Sequence, residues 1–97
     1  MKKCSVIVEV HEYTTIDDSP THVGWLDTKV VDFHDEAEAR DWVDENALDV
    51  ALGIIGKNPD EVTIRVSDWS ADGVYHLDLE DAMLFIYSAT FEVHQLS

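Results

Sequence analysis

The sequence predicts an α+β domain, with an antiparallel sheet of four to five strands and one principal helix packed on it, in the order ββαβββ. Three observations carry this. Two stretches near the start and three near the end alternate apolar with polar residues and are rich in Val, Ile, Thr and aromatics. A single central stretch repeats apolar residues at steps of three and four between capping residues. At 97 residues and 45% hydrophobic, the chain suits one domain, which would bury roughly 60–70% of its unfolded surface.

In chain order, Val6, Val8 and Val10 alternate with Ile7, Glu9 and His11, which predicts a strand over about residues 4–13. Asp17-Asp18-Ser19-Pro20 has the chemistry of a loop. Val23 to Asp32, with Trp25, Leu26, Val30 and Val31, predicts a second strand that pairs with the first. The helix follows. Asp35 is an N-cap with Glu38 in capping-box spacing, and Glu36 and Glu38 suit the helix dipole. Ala39, Trp42, Val43, Ala47, Val50 and Ile54 form its apolar face, read as centred on Trp42. Gly53 or Gly56 ends it before Asn58-Pro59-Asp60, and a split near Asn46 is compatible with the pattern. Glu61 to Trp69 and Val74 to Leu79 read as strands joined by the turn Ser70-Ala71-Asp72-Gly73. From Ala82 to Val93 the β-branched and aromatic residues favour a strand, with a short helical turn over residues 79–83 as the alternative. Strand order stays open.

Charge is the strongest functional signal. Asp and Glu number 21 against 6 Lys and Arg, a net charge of −15 and a pI near 4.3. A nucleic-acid binder must neutralise phosphates with Lys and Arg, so direct nucleic-acid binding is not expected. Neither is docking to an anionic membrane. No stretch approaches the ~20 apolar residues of a membrane span. Met1-Lys2-Lys3 mimics the start of a signal peptide, but Glu9 breaks the apolar run, so a cytoplasmic location is expected. The single cysteine, Cys4, permits neither an intrachain disulfide nor a Cys-based zinc cage and reads as a buried thiol.

Catalytic and metal motifs are weak. Asp68 to Gly73 matches the first half of an EF-hand loop, yet position twelve is Leu79 and the flanks read as strands, so a hairpin turn is the better account. His11, His22, His34, His76 and His94 form no HxH or HxxxH pair. No nucleophile elbow or phosphate loop appears. No metal, cofactor or catalytic residue is expected, and the chain is not read as an enzyme. Trp25, Trp42 and Trp69 read chiefly as core, with Trp69, beside a turn, the candidate for an exposed interface anchor.

The acids have an order. Asp35, Glu38, Asp41, Glu45 and Asp49 advance by three or four residues, and Glu36 and Asp44 widen the face. Only Arg40 offsets these seven acids, so the helix forgoes the Glu–Lys pairs that are worth a few tenths of a kcal/mol each. Carboxylates spaced about 4.5–6 Å along a helix, on two neighbouring elements, approach the charge density of a nucleic-acid backbone. Three readings follow. The chain mimics DNA or RNA and blocks a basic groove; it is an immunity protein or antitoxin neutralising a basic nuclease; or it is acidic for solubility or adaptation to high salt.

In length, charge and single-domain make-up, with an acidic helix on a small sheet, the chain resembles the small acidic phage-encoded DNA-mimic inhibitors, among them anti-CRISPR and anti-restriction proteins. The resemblance implies a non-enzymatic inhibitor in the host cytoplasm, bound to the DNA-binding surface of a CRISPR effector complex or restriction enzyme. The contact residues come from the charge pattern. Asp35, Glu36, Glu38, Asp41, Asp44, Glu45 and Asp49 are the first candidates; Asp17, Asp18, Asp78, Glu80 and Asp81 are the second. Reversal of Asp41, Asp44 and Glu45 to Lys is expected to keep the fold and abolish inhibition. The oligomeric state, a homodimer included, stays open.

Overall fold

Five strands and one long helix make up the computed structural model, which describes residues 3–16, 19–83 and 85–96. The elements are β1 (Lys3–Ile16), β2 (Ser19–Phe33), α1 (Glu36–Ile55), a single 3-10 turn at Pro59–Glu61, β3 (Val62–Trp69), β4 (Val74–Asp81) and β5 (Phe85–Leu96). This is the expected ββαβββ order and α+β class. The acidic pair Asp17 and Asp18 lies outside the described residues, as do Met1 and Lys2. Ser19 and Pro20, expected in a loop, already belong to β2. Residues 79–81 belong to β4, Ala82 and Met83 form a turn and β5 begins at Phe85, so the helical alternative over residues 79–83 does not occur.

Across the sheet the order is β2-β1-β5-β4-β3, and every neighbouring pair is antiparallel. The strands flanking the helix in sequence, β2 and β3, are therefore the two opposite edges. The chain between them must cross the whole sheet, about 19 Å at ~4.8 Å per strand. A helix of 20 residues spans about 30 Å, enough for a diagonal crossing, and α1 packs on β2, β1, β5 and β4.

The core lies between α1 and the sheet face that it covers. Cys4, Val6, Val8 and Val10 of β1, Leu77 and Leu79 of β4, and Tyr87, Ala89 and Phe91 of β5 alternate inward. Ala39, Val43, Ala47 and Ala51 meet them, one small residue at each four-residue step, with Leu52 beside the last. Small side chains let the helix approach closely, so the helix seam is this column and not Trp42. The Trp42 ring is half-buried and packs at 5.4 Å on Phe33, on the side of the seam.

Local signals set the boundaries of α1. The Asp35 carboxylate accepts the Glu38 N–H at 2.8 Å. Gly56, at φ 70, adopts the left-handed C-cap, and its N–H reaches the Leu52 carbonyl at 2.9 Å. Gly53 stays inside the helix. No split occurs at Asn46, whose amide donates back to the Trp42 carbonyl at 2.9 Å while the helix runs on. Between β3 and β4 the turn closes as a hairpin: the Ser70 N–H donates to Val74 O at 2.8 Å, and Gly73 sits at φ 81, which a side chain rarely adopts.

Candidate functional site

At about 100° per residue, Glu38, Asp41, Glu45 and Asp49 fall within about 80° of arc on α1 and cover about 16 Å of its length. All four are exposed, and none joins an ion pair among the described residues. They form a stripe on the side of the helix away from the sheet.

The other three first-choice acids have structural duties. Asp35 caps the helix. Glu36 pairs with Arg40 at 3.5 Å. Asp44 accepts the Trp69 indole N–H at 2.8 Å, and the Arg40 guanidinium lies 4.6 Å over that ring. Trp69 also meets Tyr75 edge-on at 5.3 Å. It is thus half-buried and ties the β3–β4 hairpin to the helix, and does not stand out as an interface anchor. Asp44→Lys would break this tie, so the expected triple reversal tests fold and charge together.

Asp81 leaves the candidate surface altogether. It is 7% exposed and points to the helix side of the sheet. One carboxylate oxygen accepts the N–H groups of Met83 at 2.9 Å and Phe85 at 3.0 Å. The other accepts the Tyr87 hydroxyl at 3.0 Å and faces the Lys57 ammonium at 3.6 Å. Burial opposes its ionisation, but these hydrogen bonds and Lys57 outweigh burial and hold the carboxyl below its ordinary value. Burial, the hydrogen bond to Asp81 and the charges of Asp81 and Glu12 push the Tyr87 hydroxyl up to about 12.

On the opposite side of the molecule is a second acidic surface that periodicity along the helix could not reveal. Alternation along the strands puts Glu9, Asp32, Asp68, Asp78, Glu80 and Glu92 on the sheet face that α1 does not cover. Of the second-choice acids, Asp78 and Glu80 therefore lie here, on the face opposite the helix stripe. Glu80 is held by Arg65 at 2.7 Å, and Asp32 accepts the Ser5 hydroxyl at 2.6 Å. The same face carries His11, His22, His76 and His94. A ring nitrogen of His11 lies 3.0 Å from one of His22, and the Tyr13 ring meets His22 at 5.2 Å, tilted by 57°. Trp25, expected in the core, is 58% exposed here, its indole N–H tied to the Thr28 hydroxyl at 2.7 Å. The signal for this face was present in the i, i+2 pattern of each strand, but it became a surface only through the strand order.

In outline the molecule measures 49 × 24 × 21 Å. A net −15 along 49 Å is one net charge per roughly 3.3 Å, against ~3.4 Å per phosphate along one DNA strand. No group of three or more His, Cys, Asp or Glu among the described residues is arranged to hold a metal ion. Among those residues no helix is long and apolar enough to cross a membrane. Comparison with protein-family models, curated proteins and solved structures returned no significant match.

Proposed function

We propose that this protein is a non-enzymatic inhibitor that mimics nucleic acid and blocks the DNA-binding surface of a basic, nucleic-acid-handling partner such as a CRISPR effector complex or restriction enzyme. The carrying observation is the stripe Glu38, Asp41, Glu45 and Asp49, four exposed carboxylates without cation partners among the described residues on one arc of a rigid helix. A helix backbone holds these charges in fixed positions, so a complementary groove meets them without first ordering a loop. Summed over both faces, the net charge per unit length of the molecule is comparable to that of one phosphate strand, which supports the same reading. A length of 49 Å corresponds to about one and a half turns of duplex at ~34–36 Å per turn, a footprint suited to one protein groove.

The test begins with capture of the partner from host lysate. Fluorescence anisotropy then measures binding of labelled DNA to that partner as this protein is added. The DNA should be displaced, displacement should fall steeply between low and moderate salt, and D41K/E45K/D49K should lose it. A partner that binds DNA and this protein at once overturns the reading.

A further inference from the structure

On the uncovered sheet face, Tyr13, Ile86, Ser88 and Asp78 line a shallow depression of about 250 Å³. The register lays them out as a zigzag across β1, β5 and β4, with Tyr13 and Asp78 at its two ends. Tyr13 faces Ile86 across β1–β5, Ser88 faces Asp78 across β5–β4, and Ile86 and Ser88 are alternate residues of β5. The volume is below the roughly 300–1,000 Å³ of pockets that enclose drug-sized ligands, and it suits one long side chain. Its chemistry is mixed: a phenol ring and a branched alkyl group, a hydroxyl, and one carboxylate. The neighbouring Glu80 is committed to Arg65 at 2.7 Å. Asp78 has no such cation among the described ion pairs.

We propose that this depression is a socket for one arginine side chain of the basic partner, an assignment that rests on the function proposed above for the partner's existence. The arginine stem lies on Ile86. The guanidinium stacks on Tyr13, donates to both oxygens of Asp78, and has the Ser88 hydroxyl as a further acceptor. Charge complementarity selects a cation. The flat aromatic wall selects arginine over lysine, because a guanidinium is planar, weakly hydrated and able to stack and fork at once, whereas an ammonium is compact and strongly hydrated. The socket and the helix stripe lie on opposite sides of a molecule 21–24 Å across, so the partner grips it from two sides, as the walls of a cleft do.

The probe is N-acetylarginine amide, followed by NMR on isotope-labelled protein at about 0.15 M salt, where the Debye length of ~8 Å suppresses diffuse attraction. Shifts should concentrate at Tyr13, Asp78, Ile86 and Ser88. The neutral citrulline analogue should give none, the lysine analogue should bind more weakly, and D78N should weaken arginine binding about tenfold. Unchanged resonances on α1 in D78N would show that the fold is kept, and S88A supplies a milder second variant. Equal shifts with citrulline, or an unchanged response in D78N, overturn the socket. The two proposals fail separately. A partner that competes with DNA and is indifferent to D78N removes the socket alone. Arginine binding by the free protein without DNA competition removes the functional reading alone.

Discussion

Asp81 shows how a single acid can change role between sequence and structure. Along the chain it is one more carboxylate in a hairpin; in the fold it is the acceptor for two N–H groups and a hydroxyl at the start of β5. Asp81→Ala would leave all three donors without that acceptor, at a cost of about 3 kcal/mol. For a domain of this size the melting temperature should fall by about 12–24 °C, which thermal denaturation followed by circular dichroism would measure. The pH dependence has a definite sign. The carboxyl titrates below its ordinary 3.8 in the folded state, so its contribution is complete above that value and disappears as the pH falls through the lower folded one. The gap in melting temperature between the native protein and D81A should thus be constant from pH 7 to about pH 5 and close below about pH 4. Tyr87 acts at the other end: raised from 10.0 to about 12, its contribution is complete below pH 10 and lost as the pH rises through 12, and Y87F should lack that alkaline loss. Nothing local in the sequence marks either residue, because their partners come together only when β4 and β5 pair.

The helix was the most legible element, since its capping residues and its 3.6-residue period are local properties of the chain. Its exposed stripe was legible for the same reason. What periodicity could not separate was free acids from engaged ones: Glu38, Asp41, Glu45 and Asp49 point to solvent, while Asp44 is bound by Trp69, 25 residues away. Nor could it rank Trp42 against the alanines, because the small residues take the seam by letting the helix approach the sheet closely, which periodicity does not weigh. The two classes of acid separate by mutation. D41K/E45K/D49K should keep the melting temperature within about 2 °C and change only binding. D44K, which puts an ammonium against the Trp69 N–H and beside Arg40, should cost about 1–2 kcal/mol and give a blue or red shift in tryptophan fluorescence. If D44K is neutral, the tie between hairpin and helix does not contribute to stability.

For the molecule as a whole, two acidic faces enclose one thin core, and the ion pairs among the described residues are few. Self-repulsion should therefore lower stability in dilute buffer. The melting temperature should rise as sodium chloride increases from about 0.02 to 0.3 M, as the Debye length contracts through ~10 Å. Added salt would thus favour the fold while weakening its grip on a basic partner, and a constant melting temperature would show that repulsion is negligible. The class and element order were legible from alternation and caps. Strand order was not, because alternation says which face a residue takes and nothing about its neighbour strand. That order has a further consequence. β5, last of the five strands in the chain, lies between β1 and β4, so it is the keystone between two halves that have no direct strand pairing with each other. Contacts between residues such as Val6 and Val93 close almost the entire chain into a loop before they gain anything. During synthesis the β1–β2 pair with its helix and the β3–β4 hairpin must wait as separate pieces, each with two open edges, until β5 arrives to cover one edge of each.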